Sequence, residues 1–173
     1  MGDGLRYQEY RSLARKRVEE VLLGQPSLLK DGVQADQVRM EPITPACVEA
    51  SLQWGDSATL FPWECVQRWK GKDRRGFDLA IWHASELCGL CYATPRKSRL
   101  CIKIILLESQ PGCSHPLAGS VAALAIMSTE FYGRMLGCRE IEIENPVFAV
   151  RPLYEALGFK CMLGSRLVMK IDP

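Results

Sequence analysis

The run RLCIKIILLE, Arg99 to Glu108, leaves this chain the least freedom of any segment. From Ile104 to Leu107 it is apolar at every position, so both faces of the strand it forms must be covered. Such a strand belongs in the middle of a sheet, with a layer packed on each side. Two runs of similar character precede it, FDLAIWHA and LCGLCYAT, separated from one another by Ser85-Glu86 and from the third by PRKS. Breaks this short between β-branched and aromatic runs predict hairpins, so the three strands form an antiparallel meander.

The covering layers come from segments with helical spacing. Tyr7, Tyr10, Leu13, Ala14, Val18, Val21 and Leu22 recur at helical intervals with charges between them, and Gly24-Gln25-Pro26 ends the run. Residues 1–36 are therefore an amphipathic N-terminal helix and a connector. QVRMEPIT reads as a first strand, Thr44-Pro45 caps a helix reaching about Trp54, and Pro62 opens another that ends near RWKGKDRRG. After the meander and the loop SQPGCSHP, a helix is expected from about Leu117 to Leu136, with Leu117, Val121, Leu124, Ala125, Phe131, Met135 and Leu136 on its buried stripe. REIEIEN alternates as a strand with Ile141 and Ile143 inward. VFAVRPLYEALGFK reads as a short helix burying Phe148, Val150, Leu153 and Leu157, stopped at Gly158, with Phe159 packing back as the chain enters a strand. SRLVMKID closes the chain as a final strand.

At 173 residues, 47% hydrophobic and 24% charged, the chain fits one globular domain that buries a core without staples. It has no apolar run of the roughly 20 residues a bilayer span needs and no signal-peptide core at its start, which places it in the cytoplasm with no membrane partner. The eight cysteines are scattered through apolar segments and read as free thiols. Cys88 and Cys91 have zinc-knuckle spacing, yet in a strand residues three apart point to opposite faces and no second pair matches them, so no metal is expected. A net charge of +2 exerts no strong pull on nucleic acid. Two basic turns stand out, Arg68, Lys70, Lys72, Arg74 and Arg75 beside Trp63 and Trp69, and Arg96, Lys97 and Arg99. They are either solvated loops or a seat for a phosphate-bearing acceptor.

From residue 37 to the end, the order is strand, two helices, meander, loop into a long helix, strand, short helix and strand. This order resembles the acyl-CoA N-acetyltransferases of the GNAT superfamily. The most specific match is LYEALGFK, Leu153 to Lys160, similar to that family's tyrosine-bearing helix and Gly-Phe turn, and VRMEPITPACVEASL is similar to its opening strand and helix. The resemblance implies an α/β (α+β) fold, a mixed and mostly antiparallel sheet of six to seven strands flanked by helices. Residues 37–173 make that domain and the N-terminal helix is an addition to it. It implies acetyl-CoA as cofactor, a primary amine as acceptor on a small molecule, a protein or an aminoacyl-tRNA, and leaves a homodimer open.

It also implies roles for particular residues. Backbone N–H groups at Leu107, Glu108 and Ser109, where the central strand parts from its neighbour, would polarise the thioester carbonyl. Tyr154 would deliver a proton to the leaving thiolate. Glu108 is the first candidate for the base, its other reading being a solvated carboxylate at a strand end; Glu86 and Glu144 stand behind it. Asn145 would bond the pantetheine arm or simply form a turn before Pro146. His115, Ala118, Gly119 and Ser120 occupy the family's pyrophosphate loop, where only Gly119 falls on a family glycine and Pro116 has no N–H to give. The helix start near Leu117 would then supply the anion-binding N–H groups. Cys113-Ser114-His115 admits a thiolate nucleophile, against which stands the geometry of adjacent loop residues. Loss of the loop glycines, with the added helix, also admits a binding or scaffold protein that keeps the fold without the chemistry.

Overall fold

A computed structural model describes residues 2–59, 61–98, 100–162 and 164–173. Helix α1 spans Asp3–Gly24, followed by strand β1, Val38–Glu41, and helix α2, Pro45–Leu52. A 3-10 turn, Trp63–Cys65, leads into α3, Val66–Lys72. Strands β2, Phe77–His83, β3, Glu86–Pro95, and β4, Cys101–Ser109, follow, then α4, Val121–Met135, and β5, Glu140–Glu144. The chain ends with α5, Arg151–Ala156, β6, Lys160–Cys161, and β7, Arg166–Lys170.

The strands form one seven-stranded sheet in the order β1-β2-β3-β4-β5-β7-β6, antiparallel throughout except between β4 and β5. A parallel pair needs a crossover, and α4 provides it. The expected meander is β2-β3-β4, and β4 lies at the centre of the sheet with a core on each face. On one side α1 and α4 close over Leu79, Cys91, Ile102 and Ile104. On the other, Ile43, Trp63 and Val66 close over Ala80, Leu90 and Tyr92.

Thr44 caps α2 as the sequence predicts, its hydroxyl accepting from the Cys47 N–H at 3.4 Å. Gly158 stops α5 in the left-handed region at φ +104°, and Phe159 returns its N–H to the Tyr154 carbonyl at 3.0 Å while its ring is buried.

Several expectations are corrected. Helix α4 begins at Val121 rather than Leu117, because Gly119 takes φ +82° and breaks the helical path. Its buried face runs through Leu124, Ala125, Thr129 and Tyr132, while Phe131, Met135 and Leu136 are only half-buried. Phe148, Val150 and Leu153 are not buried: they are 84%, 37% and 44% exposed. On α1, Arg11 and Arg15 share the buried stripe with Ala14, Val18 and Leu22, while Leu13, expected on that stripe, is exposed. Arg15 reaches Asp78, fully buried in β2, at 2.9 Å; Lys70 meets the same oxygen at 2.8 Å, and the second oxygen accepts the Ile43 N–H at 2.8 Å. This one carboxylate joins α1, α3 and the end of β1 to the sheet. Glu142 on β5 is buried too, bonded by Arg96 and the Cys101 thiol, although the alternation of REIEIEN put it toward solvent.

Candidate active site

Strands β4 and β5 pair only from Cys101 opposite Glu140 to Ile104 opposite Ile143. Strand β4 then runs on to Ser109, still paired with β3, while β5 ends at Glu144 and Asn145 turns the chain away at φ +50°. A gap therefore opens along one edge of β4. The parting coincides with a register shift: Ala93 sits opposite Ile104 and Tyr92 opposite Leu106, which leaves Ile105 without a partner on β3. An extra residue of this kind bends and twists its strand, which carries β4 away from β5. Beyond the bulge, Gln110 donates its N–H to the Cys88 carbonyl at 2.8 Å. Counting back by twos along an antiparallel ladder, Glu108 and Leu106 also face β3, so the N–H groups of Leu107 and Ser109 face the gap.

The gap is a cavity of about 260 Å³ whose walls include Ile105, Leu107, Ile143, Asn145 and Tyr154. Helix α5 brings Tyr154 there, and Phe159 holds the ring edge-on, centroids 5.8 Å apart, from beyond the glycine turn. Burial pushes the Tyr154 phenol up to about 12, and nearby Cys91 adds to the effect. The phenol stays protonated at any physiological pH.

Side chains alternate along β4, so Glu108 faces the opposite side of the sheet from Leu107. It is buried rather than solvated, accepting the Thr59 N–H at 2.7 Å and the Trp63 indole N–H at 2.6 Å. Glu108 thereby fastens the segment after α2 against β4. A second cavity, of about 240 Å³, adjoins it, with Trp54, Phe61, Trp63 and Glu64 in its wall. Phe61 lines both cavities.

Before α4, Ala118 and Ser120 spend their N–H groups on the His115 and Leu117 carbonyls, at 3.1 and 2.9 Å. The free N–H groups of the first helical turn accordingly begin at Val121. His115 is buried with Nε2 3.3 Å from the Ser109 hydroxyl, so it ties the loop to the end of β4. Burial pulls its pKa down, which keeps the ring neutral. Lys30 was not anticipated: it comes from the connector, and its ammonium lies 3.6 Å from where a side chain on Gly119 would begin. No motif marks it, since only the fold brings the connector to this loop.

The remaining candidates fall elsewhere or are engaged. Asn145 bonds Ser165 through its side chain and holds the left-handed turn. Glu144 pairs with Lys103, and Glu86 is exposed in the β2-β3 turn. Cys113 is exposed while His115 is buried against Ser109. In the basic turns, Lys70, Arg75 and Arg96 are paired with Asp78, Asp73 and Glu142; Arg99 lies outside the described residues. Cys88 and Cys91 both join the core on the α4 side, because a bulge at Cys88 shifts the β2-β3 register. They do not point to opposite faces as the spacing suggested. Burial raises them to about 11 and 12, so both remain thiols. Among the described residues no cluster of His, Cys, Asp or Glu could hold a metal, and no helix is long and apolar enough to cross a membrane.

No family profile matches the sequence, nor does any curated protein sequence. Solved structures do. The chain superposes on the ribosomal-protein-S18-alanine N-acetyltransferase of Escherichia coli with a TM-score of 0.56 at 12% identity, over 79% of this chain and 95% of that one. For Ard1 of Thermoplasma volcanium the TM-score is 0.58 at 12% identity, over 79% and 99%. The N-acetylglutamate synthase of Neisseria gonorrhoeae, solved with coenzyme A and N-acetylglutamate, gives 0.58 at 9% identity, over 79% of this chain and 35% of that one. At these identities the likeness is one of architecture. The chain has the fold of the GNAT superfamily of acyl-CoA N-acetyltransferases.

Proposed function

We propose that the protein is an N-acetyltransferase that moves an acetyl group from acetyl-CoA to a primary amine by direct attack. The observation that carries this reading is the gap beside β4, with the Leu107 N–H on one side and the buried Tyr154 phenol within it. The residues present suit the cofactor: Ile105, Leu107 and Ile143 would cover the methylene stretches of a pantetheine arm, the strand N–H groups facing the gap would meet its amides, and Lys30 with the open first turn of α4 would hold its phosphates.

Acetyl-CoA supplies the acyl group as a thioester, whose carbonyl oxygen gains charge as the amine attacks. The Leu107 N–H, fixed in the strand, donates to that oxygen without needing to reorganise. Across the reaction an N–C bond forms and the C–S bond breaks. The ammonium nitrogen loses two protons; one ends on sulfur, and the other passes through Glu108 to solvent. Glu108 has an oxygen lone pair left on each side beyond its two present donors. Tyr154 donates to the departing sulfur. A phenol at about 12 is a weaker acid than a thiol near 8.5, so its part is a hydrogen bond that strengthens as charge grows, with proton delivery coupled to cleavage.

The test is thiol release followed spectrophotometrically in wild type and Tyr154→Phe. General acid catalysis of this kind contributes about 10²-fold, and the phenol stays protonated, so the ratio of the two rates should hold constant from pH 7 to pH 10. Equal rates would remove Tyr154 from the chemistry. A ratio that collapses within this range would show that some other group titrates there.

A further inference from the structure

We infer that the cavity beside Glu108 seats the acceptor and selects an unbranched primary alkylammonium, a single aminoalkyl arm, while rejecting amines whose arm also carries a carboxylate. This deepens the acetyltransferase reading and rests on it for the transfer step. Three observations point the same way. The wall holds two carboxylates, Glu108 and Glu64, and none of its described residues is Lys, Arg or His. Trp54, Phe61 and Trp63 add aromatic faces, whose negative quadrupole attracts a cation while their area covers its alkyl stem. The C-terminal end of α2, at Ser51 and Leu52, also opens onto the cavity, and a helix C-terminus carries partial negative charge.

Size narrows the class further. At about 240 Å³ the cavity falls below the ~300–1,000 Å³ of pockets that enclose a whole drug-sized ligand. It admits one arm of a larger acceptor, or a small linear amine entire. The position is right for transfer as well. Phe61 belongs to the walls of both this cavity and the gap holding Tyr154, and Glu108 is the neighbour in sequence of the Leu107 N–H. An ammonium drawn against Glu108 gives up its proton there and attacks as the neutral amine; the acetyl group moves from sulfur to nitrogen, and the sulfur ends as a thiol.

The experiment measures binding first and transfer second. Quenching of tryptophan fluorescence is titrated with n-pentylamine, which is an ammonium at pH 7, and with 5-aminopentanoate, which adds a carboxylate to the same chain. The wild type should bind n-pentylamine at least about tenfold more tightly. Glu64→Gln, which leaves the Thr59 and Trp63 anchors intact, should narrow that preference several-fold, and Trp54→Phe should weaken n-pentylamine binding while the fold, read by circular dichroism, is unchanged. Equal affinity for the two amines, or a preference that Glu64→Gln leaves untouched, overturns the assignment. Addition of acetyl-CoA then separates the two readings. Selective binding without thiol release keeps the seat and refutes the transferase; thiol release indifferent to amine charge keeps the transferase and refutes the seat.

Discussion

Replacing Asp78 by asparagine removes one charge from the centre of the fold and keeps the side chain's shape. Asp78 is fully buried, and a single oxygen faces Arg15 at 2.9 Å and Lys70 at 2.8 Å. Those side chains are 9% and 18% exposed, so water replaces little of what the carboxylate provides. The amide oxygen that the substitution introduces can still accept from Ile43, but its NH2 then faces the Arg15 and Lys70 donors, so lost charge and a donor–donor contact act together. Breaking a buried ion pair by removing one partner costs about 3–5 kcal/mol. Two cations left facing each other put Asp78→Asn at the upper end of that range. The opposite change, Arg15→Met, leaves Asp78 paired with Lys70 and fills the space with an apolar chain, so it should cost less than half as much. Urea unfolding followed by tryptophan fluorescence measures both, with the slope expected to stay constant. If Asp78→Asn costs under about 1 kcal/mol, or Arg15→Met costs more than Asp78→Asn, the carboxylate is not what binds α1 and α3 to the sheet.

Two further outcomes follow from packing and titration. A methyl on Gly89 would come 2.4 Å from Val121 Cγ1 and 3.3 Å from the Glu108 carbonyl, so Gly89→Ala should cost about 1–3 kcal/mol, and adding Val121→Ala should recover most of it; a neutral single variant refutes the close approach of α4 to β3. Burial raises Cys88, Cys91, Tyr92 and Tyr154 to between about 11 and 12, whereas an unfolded thiol titrates near 8.5. The folded state thus holds more protons than the unfolded one above pH 8.5, and stability must fall as pH rises from there toward 11. Scanning calorimetry at pH 8, 9 and 10 should show a steadily lower Tm; a flat profile contradicts the burial of these groups.

The central place of β4 was legible because the apolar run Ile104 to Leu107 asks for neighbours on both sides, although Ile105 is left 40% exposed where β5 parts from it, and the Gly158-Phe159 turn because its backbone leaves few alternatives. What the sequence hid depends on partners distant along the chain. Arg11 and Arg15 look like solvent positions until β2 supplies Asp78 and the carbonyls of Arg74 and Gly76 lie within reach. Glu108 looks like a strand-end carboxylate until Thr59 and Trp63 bury it. The start of α4 was misplaced because Pro116 and Leu117 imitate a helix entry, and Leu117 is indeed buried, but in the turn that precedes the helix. Of the candidate site, Tyr154 and Leu107 meet at one cavity; Glu108 lies across the strand from them, and Lys30 and Phe61 carried no sequence signal.

Calorimetric titration of acetyl-CoA into wild type and Ile105→Trp tests the central claim most directly, because the added indole fills the space between the parted strands. Saturable binding to the wild type, weakened at least about tenfold in the variant, is the predicted result. No heat at millimolar cofactor, or the same affinity with the gap filled, would contradict it.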